Sequence, residues 1–145
     1  PVGRRARRGR GFGASTSYDF HQQGKILAFA LGSSARIPAP PRRDRTIPEQ
    51  PPLTASANEL AEGEQLYHQY CSSCHGSRAR GYRNADLRLM SRATHAAFQS
   101  VVRDGLLAKL GMDSFAADLD EDQTELIRQY IISRATADRN ASGRE

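Results

Sequence analysis

Residues 71–75 read Cys71-Ser72-Ser73-Cys74-His75, the Cys-x-x-Cys-His spacing of a c-type haem attachment site. Two thiols one helical turn apart add across the two vinyl groups on one edge of the macrocycle. The adjoining His75 then lies under the ring with an imidazole nitrogen turned toward iron. Three other chemistries share the Cys-x-x-Cys spacing. A thioredoxin-like redox pair needs a strand before it and a helix after it, whereas here an amphipathic helical pattern precedes. A zinc site needs further ligands at metal spacing, and neither His68 nor His95 brings a second Cys-x-x-Cys or a His-x-x-x-His. A plain Cys71–Cys74 disulfide is the remaining alternative. With two cysteines in 145 residues, a disulfide framework is excluded.

Iron held by His75 needs a second axial ligand or an open site. The chain offers two methionines and three further histidines. Met112, in Lys109-Leu110-Gly111-Met112-Asp113-Ser114-Phe115, lies in a loop far enough along the chain for it to have wrapped the ring, and Gly111 beside it lets the backbone come close. Met90, in Leu87-Arg88-Leu89-Met90, is the main competitor and otherwise reads as apolar filling against the ring edge. His95 would give a bis-histidine pair but is expected to be exposed at a helix start. His21 and His68 read as surface residues. A thioether opposite histidine raises the reduction potential, which suits an electron relay better than an oxygen binder. Tyr82, Arg88, Arg92 and Arg103 are candidate partners of the haem propionates, with a solvated charged face as the alternative.

Outward from the motif, three helices are predicted. The first runs from Asn58 or Glu59 to Tyr70, with Leu60, Ala61, Gly63, Glu64, Tyr67 and Tyr70 at helical spacings and an acidic first turn. The second follows Thr94 as cap, carries Phe98, Val101 and Val102, and stops at Gly105. The third starts at Asp120, where Asp120-Glu121-Asp122-Gln123 fits a capping box, and turns Leu126, Ile127, Tyr130 and Ile131 inward. Gly63 and Tyr130 are expected to form a close helix crossing. About 80 residues bury only a modest share of their own surface, so the macrocycle is expected to serve as the missing core and the apo domain to be unstable.

Upstream the composition changes. Residues 1–45 hold 10 Lys+Arg against 2 acids, or +8, whereas residues 46–145 hold 11 against 14, or −3. The basic excess therefore lies outside the folded part and says little about its partner. Residues 1–17 are Arg/Gly/Ser-rich, without apolar periodicity, and are expected to be disordered. Arg4-Arg5-Ala6-Arg7-Arg8-Gly9-Arg10 would suit RNA or DNA phosphates, but no reading module accompanies it, so no specific nucleic acid is expected. Gly24-Lys25-Ile26-Leu27-Ala28-Phe29-Ala30-Leu31-Gly32 reads as one buried strand within 18–36. Its six-residue apolar core, Ile26 to Leu31, is far short of the ~20 residues of a membrane span. It could also be the short apolar part of a signal peptide, against which Lys25 and the shortness argue. An opening at Pro1 is expected to reflect processing or truncation. Residues 37–56 hold six of the seven prolines and read as an extended linker. The haem domain is expected over 57–136 and a tail over 137–145.

The residues Gly63-Glu64-Gln65-Leu66-Tyr67, Cys71 to Gly76, Ala85-Asp86-Leu87-Arg88, Phe98-x-x-Val101-Val102-x-x-Gly105, Gly111-Met112 and Tyr130-Ile131 resemble the cytochrome c domain that ends the quinohaemoprotein dehydrogenases. The resemblance covers residues 60–133 and extends more loosely over 24–59, where the strand resembles the last propeller strand of that family. It implies an all-α, class I cytochrome c-like domain of three main helices around haem c, preceded by a short strand and a Pro-rich linker. It implies covalent haem c on Cys71 and Cys74, with His75 and Met112 on iron. The implied job is to take electrons from a pyrroloquinoline-quinone (PQQ) dehydrogenase domain or subunit and pass them to a periplasmic acceptor. PQQ and calcium would belong to a parent propeller, so this chain alone is expected not to be an enzyme. A free-standing soluble cytochrome c is the alternative. Two departures stand out: Ala85 and Asp113 occupy positions where the family tends to have proline. Ala85 could still offer its carbonyl to the His75 ring, from a less rigid loop.

Overall fold

The structure is a computed structural model that describes residues 44–81 and 84–142, with isolated positions between 28 and 41. The chain divides into two compact units, Pro1–Asp44 and Arg45–Glu145. In the first unit, the described positions Ala28, Ala30, Leu31 and Gly32 carry no strand; the rest of the expected strand lies outside the described residues, as do the basic segment 1–17 and His21.

The second unit is helical, with no strand among its described residues. Helix α1, Ala57–Tyr70, begins at Ser56, whose hydroxyl accepts from the Glu59 amide while the Glu59 carboxylate accepts from the Ser56 amide at 2.7 Å. This reciprocal pair satisfies two of the amides that a helix start leaves open. A single turn, α2, Ser72–His75, continues from α1 after Cys71 and ends at Gly76, where φ is +78°. A 3-10 turn at Leu87–Leu89 is capped by Asp86.

Next come α3, Arg92–Ala96, and α4, Phe98–Val102. The sequence pattern predicts a single helix here, capped by Thr94. Instead Ser91 is the cap and accepts from the Thr94 amide at 3.1 Å, and Thr94 sits inside the first turn. At Ala97 (φ −90°, ψ 8°) the chain leaves helical geometry and splits the segment in two.

A second 3-10 turn, Ala108–Leu110, precedes the longest helix, α5, Glu121–Ser142. Its start carries the expected box: the Asp120 carboxylate accepts from the Gln123 amide at 2.7 Å, and the Gln123 side chain accepts from the Asp120 amide at 3.1 Å. Residues 137–142, read from sequence as tail, are the last turns of this helix. Among the described residues no helix is long and apolar enough to cross a membrane.

Packing of α1 on α5 is the principal helix contact. Tyr67, Phe98, Val102, Leu119, Ile127, Tyr130 and Ile131 form the core between α1, α4 and α5, joined by Met90 and Ala79. The expected close crossing exists at Gly63. A Cβ there would meet the backbone carbonyl of Leu126, 2.8 Å from its carbon, with Tyr130 Cβ at 3.4 Å. The missing side chain thus admits the α5 backbone, where the sequence suggests the Tyr130 ring.

The segment before α1 is bonded onto this core. Arg45 pairs with Asp86 at 3.0 Å, the Gln50 side-chain amide donates to the Arg88 carbonyl at 3.4 Å, and the Thr54 amide donates to the Gln129 side chain at 3.0 Å.

Candidate haem site

Cys71 ends α1 with its amide donating to the Tyr67 carbonyl at 2.9 Å, so the α1 register sets where the first thiol stands. One turn on, α2 delivers Cys74 and His75. Both cysteines are free thiols. Burial, followed by the neighbouring Cys74, pushes the Cys71 thiol up to about 12. A redox-active Cys-x-x-Cys pair needs the opposite shift, toward thiolate.

His75 is only 9% exposed. Its Nδ1 lies 2.9 Å from the Ala85 carbonyl. A carbonyl only accepts, so Nδ1 is the protonated nitrogen and Nε2 keeps the lone pair that a metal needs. Around it the turn is tied down: the Gly81 amide donates to the His75 carbonyl at 2.9 Å, and the Tyr67 hydroxyl donates to the Gly76 carbonyl at 2.6 Å. Tyr67 is fully buried, and burial raises its hydroxyl pKa well above the ordinary tyrosine value. It therefore remains a donor at every physiological pH.

Across a cleft of about 360 Å3 stands the loop after α4, with Leu107, Leu110, Gly111, Met112, Asp113 and Phe115; Tyr70, Cys71, Cys74, His75, Asn84 and Ala85 line the facing side. That volume lies in the range of cofactor pockets. Met112 is half-buried, and its amide donates to the Leu107 carbonyl at 3.3 Å. Gly111 sits at φ +90°, and a Cβ at that position would meet nothing within 4 Å. It supplies the left-handed turn that presents Met112. Tyr70 and Phe115 meet edge to face, ring centroids 6.2 Å apart, and close one end of the cleft.

The four residues singled out from sequence, Cys71, Cys74, His75 and Met112, thus line one cleft. The competitors do not. Met90 is buried in the core. His95, expected to be exposed, is 5% exposed, with Nε2 3.2 Å from the Gln50 side-chain oxygen, and it lines a separate shallow depression with Arg92 and Arg128. Desolvation in that position, then the charge of Arg128, lowers its pKa. His68 is a surface residue 3.9 Å from Glu64. The expected propionate partners fare differently again. Arg88 is buried against Asp86 and Asp138, Arg103 pairs with Glu121 at 2.9 Å, and neither they nor Arg92 line the cleft; Tyr82 lies outside the described residues. Sequence reasoning passes over Tyr70, Leu107 and Phe115. Tyr70 just before Cys71 and Phe115 three residues after Met112 are the available signals.

The fit to a porphyrin is chemical as well as spatial: two thiols on one rim, an imidazole with a free lone pair, a facing thioether, and apolar walls. Comparison with known proteins points the same way. The family profile described as "Cytochrome C oxidase, cbb3-type, subunit III" matches residues 58–131. The chain is 39% identical over 118 residues to quinohemoprotein alcohol dehydrogenase ADH IIB of Pseudomonas putida, a match covering 79% of this chain and 17% of that protein. It is 38% identical over 112 residues to the dehydrogenase subunit of the Acetobacter aceti alcohol dehydrogenase (quinone), covering 76% of this chain and 15% of the relative. Among solved structures it resembles quinohemoprotein alcohol dehydrogenase ADHIIG of Pseudomonas putida HK5, with a TM-score of 0.64 and 34% identity over 73% of this chain and 15% of that one. The chain thus spans about a sixth of the length of these relatives.

Proposed function

We propose, from the premise that this chain belongs to the cytochrome c family of the cbb3-type subunit III profile and carries covalent haem c, that Cys71 and Cys74 hold the porphyrin and that His75 and Met112 bind its iron. When bound, haem c supplies a one-electron ferric–ferrous couple, and the protein sets its potential and access. His75 holds its Nδ1 proton on the Ala85 carbonyl, which fixes the ring tautomer and makes Nε2 the stronger donor. Met112 contributes a neutral sulfur that favours the reduced state. Tyr70, Leu107 and Phe115 keep water from the cleft walls.

The observation that carries this reading is the shared cleft, which brings a motif before the 76–90 loop together with a methionine beyond α4. The electron donor we infer is a PQQ-dependent dehydrogenase domain or subunit, because the matched relatives are quinohemoprotein or quinone-linked alcohol dehydrogenases. The acceptor we infer is a periplasmic redox protein, and the compartment is the periplasm. The test is the spectrum and redox titration of the purified holo chain beside Met112→Ala. The variant should lose its near-infrared sulfur-to-iron band and drop in potential by a sizeable part of the roughly 0.8 V that axial ligands command. An unaltered spectrum and potential would remove Met112 from the site.

A further inference from the structure

We propose that Asp138, on α5, is a positioning residue for His75: through Arg88 and Asp86 it fixes the Ala85 carbonyl that orients the imidazole. The proposal rests on the reading of His75 as an iron ligand.

The Ala85 carbonyl accepts the Nδ1 proton of His75 at 2.9 Å, yet Ala85 is itself exposed. What holds that carbonyl is the next residue. Asp86 caps the Leu87–Leu89 turn, its Oδ1 accepting from the Arg88 amide at 3.1 Å. The Arg88 guanidinium returns to the same carboxylate through Nε at 3.0 Å and Nη2 at 2.7 Å. This two-pronged pair fixes the plane of both groups. The remaining Nη1 of Arg88 donates to Asp138 Oδ2 at 2.8 Å.

Side-chain exposures are 4% for Asp86, 6% for Arg88 and 14% for Asp138, so the chain of contacts is shielded from solvent. Asp138 is itself held by Arg80 at 3.2 Å and Arg134 at 3.6 Å, while Arg45 reaches Asp86 at 3.0 Å. The loop has little room to adjust: a Cβ at Gly81 would lie 2.7 Å from the Asn84 carbonyl oxygen and 2.9 Å from the Asp86 amide. A rigid helix at one end and an imidazole at the other are thus joined through two buried carboxylates and one guanidinium.

Two effects of breaking the link have opposite signs. A hydrogen bond on Nδ1–H makes the imidazole a stronger donor and favours the ferric state. Loosening it raises the reduction potential. Removing a positive charge near the site lowers the potential by Coulomb attraction alone.

Arg88→Gln in the full holo chain separates them, with Arg134→Gln as the control that deletes the same charge beside Asp138 without touching the loop. Arg88→Gln should raise the potential and speed exchange of the His75 Nδ1 proton, followed by NMR in the ferrous state, by about tenfold. Arg134→Gln should lower the potential slightly and leave exchange unchanged. Should Arg88→Gln lower the potential as the control does, with normal exchange, the positioning role is refuted. Asp138→Asn, which keeps the shape and the Arg88–Asp86 pair, is read beside it by exchange: faster exchange supports the role and an unaltered rate overturns it, whether or not Arg88→Gln accumulates. Wild-type protein lacking ring-current-shifted His75 ring signals in the ferrous state would refute the ligand assignment itself; wild type with those signals and silent variants would refute only the role of Asp138.

Discussion

Replacing Gly63 by alanine sets two calculable effects against each other. In an open helix the exchange gains about 1 kcal/mol, because alanine loses less backbone entropy. At this crossing the new methyl would stand 2.8 Å from the Leu126 carbonyl carbon and closer still to its oxygen, with Tyr130 Cβ at 3.4 Å. A side chain could swing aside; a carbonyl inside α5 cannot move without shifting the helix. Overpacking costs roughly 1–3 kcal/mol, and a backbone obstacle puts this site at the upper end. The net loss is therefore about 2 kcal/mol. For a unit of this size each kcal/mol moves the melting point by about 4–8 °C, so the holo chain should melt about 8–16 °C lower. Far-UV circular dichroism of Gly63→Ala beside wild type measures it. Ala61→Gly, on the exposed flank of the same helix, is the reference for propensity alone and should cost only about 1 kcal/mol. A Gly63→Ala protein melting at or above wild type would mean that α1 and α5 are not in backbone contact at Gly63.

Two further outcomes follow from buried polar groups. Tyr67→Phe removes the 2.6 Å bond to the Gly76 carbonyl inside the core and should cost about 1–2 kcal/mol, read as a lower denaturant midpoint at constant slope; an unchanged midpoint would show that the turn after His75 does not depend on it. Burial and then Arg128 depress the pKa of His95 below its ordinary value of 6.5, so the folded state resists a proton that the unfolded chain accepts. The stability His95 contributes is full above about pH 6.5 and is lost as pH falls below it toward the folded pKa. Unfolding followed from pH 7.5 down to 5 should show this decline, weakened in His95→Gln, and equal slopes for the two proteins would refute it.

Legibility followed distance along the chain. Cys71, Cys74 and His75 could be singled out because the proposed attachment chemistry needs them contiguous, and α1 and α5 because their apolar periodicity and acidic starts are local. Met112 could be weighed only once the motif required a partner for iron; a solitary methionine in a loop carries no signal of its own. The arginines could not be sorted. Arg88 and Arg92 are the same letter four residues apart, yet one is buried between two carboxylates and the other is exposed, a difference decided by Asp138 fifty positions away. His95, buried where the sequence suggests exposure, differs for the same reason. Its partner Gln50 lies in the proline-rich stretch before α1, where composition promised only a spacer. The split of the second helix at Ala97 left no mark in the sequence, since alanine is equally at home inside a helix.

The two walls of the cleft are held by different means. On the His75 side the ring is bonded to Ala85, the turn to Tyr67 and the loop to a buried ionic chain that ends on α5. On the Met112 side the loop is held mainly by backbone bonds: Met112 amide to Leu107 carbonyl at 3.3 Å, Leu106 amide to Ser100 carbonyl at 3.1 Å, Phe115 amide to Val102 carbonyl at 2.8 Å, and Leu119 amide to Phe115 carbonyl at 2.9 Å, with the Ser114 hydroxyl donating to the Arg103 carbonyl. The buried ion pairs thus stand behind the imidazole, whereas the bonds nearest Met112 are between backbone groups. This division suits the roles proposed for the two ligands. A fixed imidazole would keep the donor strength of Nε2 constant, and with it the base of the potential, while Met112 would add a neutral sulfur donor.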